Sequence, residues 1–240
     1  MRLGFALLGS TLLLPLYMQT LLGYTAERAG MALSPGGFTI MLAMPLVGFL
    51  LSRYSPRWLL AFGLTTLSLS LLHMTTFDLD VDFKTVMMAR VYQAIGMAFL
   101  FVPINTAAYS SLPREKNNAA SGLMNLARNI GGSVGISLVT TMLDRRGQVH
   151  LNYLSQNLSA ANPAFRSMLQ GATQGMRAHG ASAAFAAQQG YALIEGAVQR
   201  QASMLAYIDD FRLLGAAIML MIPLVFLMKK SRPGGGMAVH

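Results

Sequence analysis

Residues 86–110 read VMMARVYQAIGMAFLFVPINTAAYS. These 25 residues hold no acid and no lysine, and only Arg90, Gln93 and Asn105 break the run with large polar side chains. At about 1.5 Å rise per residue, a helix of this length crosses the roughly 30 Å hydrocarbon core of a bilayer. Arg90, Gln93, Met97, Phe101 and Asn105 fall in a stripe about 120° wide at 100° per residue. Polar groups are expensive in hydrocarbon, so such a stripe faces other helices or a wet cavity. Pro103 removes a backbone hydrogen bond and is expected to bend the helix near Asn105.

The surrounding chain fits a membrane reading. It has 240 residues, 54% hydrophobic and 11% charged, well below the roughly 25% charged of soluble domains. So apolar a chain is not disordered. The net charge of +9 is scattered between apolar runs rather than gathered on one soluble face, which argues against nucleic acid as a partner. There is no cysteine, which removes disulfides and thiol chemistry. The 18 methionines read first as lipid-facing filler, with a minority share lining an adaptable surface.

Five further runs resemble the first: Leu3 to Leu22, Met31 to Leu51, Trp58 to Met74, Ala119 to Leu143 and Met204 to Met228. The expected fold is all-α and integral to the membrane, a six-helix half-bundle. Its parts are five spans in 1–143, a long external loop with an amphipathic helix in 144–203, the last span in 204–228, and a flexible tail in 229–240. One set of short loops and ends holds Arg2, Arg53, Arg57, Arg114, Lys116, Lys229, Lys230 and Arg232, and the opposite set holds only Arg28 and Lys84. Basic residues stay on the cytoplasmic side, so both termini are expected there and 144–203 outside. Met1-Arg2 before an apolar run also suits a signal peptide, but the run is long, contains Pro15 and ends without a small-x-small cleavage site, so a span is the expectation. From Ser182 onward, Ala186, Tyr191, Ile194, Val198, Leu205 and Ile208 recur at near-helical spacing. That helix reads as a docking surface for an external partner, or as one lying on the membrane or on its own bundle.

In the fifth span Ser121, Asn125, Arg128, Asn129 and Gly132 line one side. Arg128 sits near mid-span, where an unpaired charge costs about 2.5–3.5 kcal/mol or more. It serves either as a tether between helices or as a cavity charge that shapes substrate or proton binding. Arg90, near the outer end, either joins that cavity or snorkels to the interface. Gly131 and Gly135 make a GxxxG face with Gly132 between them, suited to close packing. Pro15, Pro35, Pro45, Pro103 and Pro223 fall within spans, as do interrupted helices where transporters bind and move. Pro45, Gly48, Pro103, Gly131, Gly132 and Gly135 are therefore the candidate packing or pivot positions, with no catalytic, cofactor or metal site. The alternation Asp78, Asp80, Asp82 lacks the rest of a calcium loop and reads as a solvated acidic loop. His73, His150, His179 and His240 are isolated, and no zinc-protease, nucleophile-elbow or nucleotide-loop motif is present. No acid lies mid-span, Asp209 and Asp210 entering the last span near its outer end.

Arg90-Val-Tyr-Gln93-Ala-Ile-Gly96-Met-Ala-Phe-Leu-Phe101-Val-Pro103 resembles the R-x-x-Q-G-x-G-x-G-x-x-F-x-P segment of the EmrB/QacA type drug:proton antiporters of the major facilitator superfamily. Gly23-Tyr24-Thr25-Ala26, Ala120-Ser121-Gly122-Leu123 with Asn125, Arg128 and Gly131-Gly132-Ser133, and Gln201-Ala202 with Leu205-Ala206-Tyr207 and Asp209 agree with it. Ala94 and Ala98 stand where the family pattern has Gly, and Ser52 where it often has an acid. The resemblance implies the carboxy-terminal part of a fourteen-span transporter in the bacterial inner membrane, exporting amphipathic, often cationic, drug-like substrates in exchange for protons. It also implies that the proton-carrying acid lies in a missing amino-terminal half, and that a membrane-fusion adaptor protein contacts 144–203. The alternatives are a truncated or non-transporting remnant or scaffold subunit, and an uptake carrier of the same superfamily.

Overall fold

A computed structural model describes residues 2–109, 117–159, 161–180 and 182–226. Arg114, Lys116, Ser110, Leu227, Met228 and the expected tail 229–240 lie outside the described residues. The described residues form helices α1 (Arg2–Thr20), α2 (Ala26–Arg53), α3 (Pro56–Met74), α4 (Phe83–Tyr109), α5 (Asn117–Ser155), α6 (Pro163–Ala178) and α7 (Ala183–Phe226). Among the described residues two segments, Ala26–Arg53 and Phe83–Thr106, are long and apolar enough to cross a membrane. By their internal packing the residues divide into two units, Met1–Val139 with Ile208–His240, and Thr140–Tyr207.

Local chemistry sets the helix ends of the first unit. Gly23 takes φ +65 in the turn after α1, a region open to glycine because it has no Cβ. The Thr25 hydroxyl accepts the Arg28 N–H at 3.2 Å and caps α2. Pro56 opens α3 where its missing N–H is no loss. The acidic loop closes on itself: the Asp78 carboxylate accepts the Asp80 N–H at 3.0 Å, and Asp82 accepts the Thr85 N–H at 3.2 Å ahead of α4. The hydrogen bond to Thr85 holds the Asp82 carboxyl below the usual range. Tyr17 ties α1 to this loop by donating its hydroxyl to the Asp78 carbonyl at 2.6 Å.

Within this unit α4 packs between α2 and α3. The α3–α4 crossing is close because both helices offer glycine there. A Cβ on Gly96 would stand 2.7 Å from the Leu67 nitrogen, and one on Gly63 would stand 3.0 Å from the Gly96 carbonyl oxygen. The Ser70 hydroxyl donates to the Ala89 carbonyl at 3.0 Å across this crossing. On its other side α3 meets the Ile208–Phe226 part of α7, where Ser68 donates to the Gly215 carbonyl at 2.8 Å and Trp58 meets the edge of Phe226 at 5.5 Å.

Around an apolar core that includes Leu13, Leu64, Leu67 and Phe211, polarity is not sorted as in a soluble protein. Ser10, Ser68, Ser70, Gln93 and Asp210 are buried, while Phe38, Leu42, Leu69 and Leu220 are each more than half exposed. Apolar side chains facing outward along whole helices suit contact with lipid. Helical hydroxyls are satisfied locally, Thr39 donating to the Pro35 carbonyl and Thr65 to the Ala61 carbonyl.

In the second unit Asn162 caps α6 by accepting the Ala164 N–H at 3.0 Å, ahead of Pro163. Phe165, Leu169 and Thr173 on α6 face Gly190 and Tyr191 on α7. The Phe165 and Tyr191 rings are 5.9 Å apart, and a Cβ on Gly190 would lie 3.0 Å from the Thr173 hydroxyl. Ala186 and Ile194 are buried and Tyr191 is half exposed, so Gly190 completes the packed stripe in place of Tyr191.

Gly96→Val should destabilise the protein by about 1–3 kcal/mol or more through overpacking against backbone. The check is the thermal midpoint of the detergent-purified protein, and an unchanged midpoint would mean that the crossing does not lie at Gly96. Because the folded carboxyl of Asp82 titrates below its unfolded value, its contribution to stability is present at neutral pH and fades as pH falls through the folded value. Asp82→Ala should therefore lower the midpoint at pH 7, and the gap to wild type should close on acidification.

Candidate polar path along α4 and α5

The stripe on α4 begins at Arg90. Its Nη1 donates to Gln93 Oε1 at 2.5 Å and meets Met97 Sδ at 4.0 Å. The guanidinium thus turns along the helix toward Met97, away from the α4 N-terminus, and does not snorkel outward. Gln93 is fully buried and is held from its other end, Nε2 donating to the Ser10 carbonyl of α1 at 3.1 Å. The Thr11 hydroxyl lies 3.9 Å from Met97 Sδ, so α1 meets the stripe twice.

Room for the arginine comes from α2. A Cβ on Gly36 would sit 2.8 Å from Arg90 Cγ and 3.0 Å from Nε. Neither Gly36 nor Ser10 stood out in the sequence, although Pro35-Gly36-Gly37 inside an apolar run was the available signal. Ser10 acts through its backbone carbonyl, which leaves no trace in residue type.

The second half of the stripe meets α5. Arg128 Nη2 donates to Asn105 Oδ1 at 3.2 Å, and its guanidinium carbon lies 5.0 Å from the centroid of the Phe101 ring. A planar cation over an aromatic face is favourable, more so where water is scarce. Three of the predicted residues, Phe101, Asn105 and Arg128, therefore come together, and Arg90, Gln93 and Met97 form a second group. Asn125 and Asn129 are exposed and Ser121 is half-buried. Among the packing candidates Pro103, Gly131, Gly132 and Gly135 are buried, while Pro45 and Gly48 are exposed, with nothing within 4 Å of a Cβ built on Gly48. Ala94 and Ala98 are both fully buried. Asp210 is buried at 1% exposure. Among the described residues no three of His, Cys, Asp or Glu cluster in a way that could hold a metal ion.

Helices that leave large apolar side chains exposed around a buried glutamine and half-buried arginines fit a multi-pass membrane protein. The chain belongs to the major facilitator superfamily, whose family model matches residues 2–150. It is similar to the uncharacterized MFS-type transporter YhcA of Bacillus subtilis, 32% identical over 71% of this chain and 32% of that protein. It is similar to the multidrug export protein EmrB of Escherichia coli K12, 32% identical over 67% of this chain and 31% of that protein. The fatty acid resistance protein FarB of Neisseria gonorrhoeae is 28% identical over 98% of this chain and 45% of that protein. The chain thus spans between about a third and under half of the relatives it matches. These matches put it with the EmrB-type transporters of that superfamily.

Gln93→Leu removes the oxygen acceptor of a largely desolvated guanidinium and should cost about 1.5–3 kcal/mol. Thermal unfolding of the purified protein checks this, and a loss no larger than that of an exposed control such as Asn129→Leu would contradict the bond's importance.

Proposed function

We propose that this chain is the carboxy-terminal half of a proton-coupled multidrug efflux transporter that works by alternating access in the bacterial inner membrane. The observation that carries this reading is the junction of two predicted polar stripes, Arg128 of α5 on Asn105 and Phe101 of α4, in a chain whose family transports solutes. Apart from Leu21 and Leu22, the described residues of all six apolar segments lie on helices, which supports six spans, and coverage of under half of the relatives supports a half-transporter. Arg90, Gln93, Met97, Phe101, Asn105 and Arg128 then line the substrate path, with Ser121, Asn125 and Asn129 opening toward the half that completes it. Gly131, Gly132, Gly135 and Pro103 serve as packing and pivot positions where this half rocks against the other.

In this reading both termini are cytoplasmic and 144–203 is external. The exposed Tyr153, Met168, Phe185 and Leu193 of the second unit then offer a surface to a membrane-fusion adaptor, because large apolar side chains left outside mark interaction sites.

Two experiments test the proposal. In cells expressing the intact gene product, dye efflux that collapses with the proton gradient should fall at least about tenfold in Arg128→Ala, the loss of about 1.4 kcal/mol of differential binding. Full efflux by a normally expressed mutant would remove Arg128 from the mechanism, and no gradient-dependent efflux in wild type would favour a scaffold. The chain has no cysteine, so single cysteines report topology directly. With a membrane-impermeant maleimide, Asp80→Cys should label in intact cells and Tyr54→Cys only after lysis. The opposite pattern would invert the orientation.

A further inference from the structure

The turn from α2 to α3 gathers Arg53, Tyr54, Arg57 and Trp58 at the end of a helix long enough to cross a membrane. The turn is held firmly, because Leu50 and Leu51 of α2 pack against the cluster of Val47, Leu59 and Phe99, and the Tyr54 N–H closes on the Leu50 carbonyl at 2.8 Å. Tyr54 and Trp58 are each more than half exposed, and Trp58 meets the edge of Phe226, which is also exposed. Aromatic rings beside arginines at a helix end mark the level where hydrocarbon gives way to lipid head groups. The two arginines are not neutralised there. The Ser52 hydroxyl turns back on its own helix and donates to the Phe49 carbonyl at 2.7 Å. Arg53 lies with its guanidinium carbon 4.7 Å from the centre of the Phe49 ring, which occupies the face of the fork and leaves its edge N–H groups. The Nε atom of Arg57 is buried with no hydrogen-bond partner, and a buried donor of this kind points to an acceptor from outside the chain. Among the described residues neither arginine is paired with a carboxylate. Ser55 makes no side-chain capping bond and Pro56 has no N–H, so the positive end of α3 adds to the same field.

We infer that this turn binds the head group of an anionic phospholipid, with Arg57 and Arg53 on the phosphate oxygens and Trp58 and Phe226 against the upper part of an acyl chain. A phosphate presents the oxygens that match guanidinium forks, its charge answers two unpaired cations at a membrane surface, and the acyl chain covers the rings that stand exposed beside them. A zwitterionic lipid carries the same phosphate with its own ammonium, so preference for the anionic head group is the signature of the site. A lipid held there joins the α2–α3 turn to the end of α7 across the Trp58–Phe226 contact. The site requires that the chain lie in a bilayer and is independent of what, if anything, it transports.

The single tryptophan of the chain, Trp58, stands in the site and reports on it. The full-length protein is placed in phosphatidylcholine nanodiscs into which either phosphatidylglycerol or phosphatidylcholine with brominated acyl chains is titrated, and the emission missing from Trp58→Phe defines the Trp58 signal. Brominated phosphatidylglycerol should quench that signal at a mole fraction at least about fivefold below the one brominated phosphatidylcholine requires, the ratio expected of one arginine at a membrane surface. Arg57→Gln should remove most of the preference, and Arg57→Lys, which keeps the charge but loses the fork, should retain part of it. Inorganic phosphate, compared with chloride at matched ionic strength, should leave the preference in place. Its loss to phosphate would assign the site to a free anion and overturn the lipid inference. Equal quenching by the two brominated lipids in wild type would overturn it without any variant having to fold, as would a preference that survives Arg53→Gln and Arg57→Gln together.

Discussion

A guanidinium among apolar helices has to be supplied with partners by the protein, because no water is on hand to hydrate it. Arg90 shows how far the surrounding helices are organised around that requirement. One helix gives up a side chain at Gly36 to admit the stem, α4 supplies Gln93 and Met97, and α1 contributes a backbone carbonyl that orients the glutamine. Three helices are thereby set against one another by a single charged group. Removing any of these parts leaves a polar atom in a place where its desolvation is not offset.

The glycine crossing of α3 and α4 complements this polar tie. Lipid tails are as apolar as leucine, so helices in a bilayer gain little from hiding apolar surface and depend on close van der Waals contact and interhelical hydrogen bonds instead. Gly63 and Gly96 bring the backbones within reach of each other, and Ser68 and Ser70 then donate to carbonyls of the two neighbouring helices. The buried set of this unit therefore adds Ser10, Ser68, Ser70 and Gln93 to a core of large apolar side chains such as Leu13, Leu64, Leu67 and Phe211, while others such as Leu42 and Leu220 are exposed. The second unit is built differently, with a capped α6 that meets α7 through Phe165 on Tyr191 and through Leu169 and Thr173 at Gly190.

The polar path was partly legible because periodicity in an apolar run is a strong signal: five residues on one face of residues 86–110 could be named from spacing alone. Their partners were harder to read. The GxxxG face at Gly131 and Gly135 is a pattern within one segment, whereas the α3–α4 crossing uses Gly63 and Gly96, one glycine from each of two helices. No pattern within one segment shows which glycines of two segments will meet. The same holds for Arg90, whose length permits both an outward and an inward rotamer until Gln93 and Gly36 are placed beside it.

The sequence by itself determined the helical class, the lack of thiols and the family, since these depend on composition, period and local motif. Only the tertiary structure decided that Arg128 meets Asn105 and Phe101, that Arg90 turns inward, and that the two arginines have neutral partners. Those outcomes depend on which faces of separate helices come together. Hydrogen-bond satisfaction in an apolar medium is a property of pairs of helices, and it is settled where they pack.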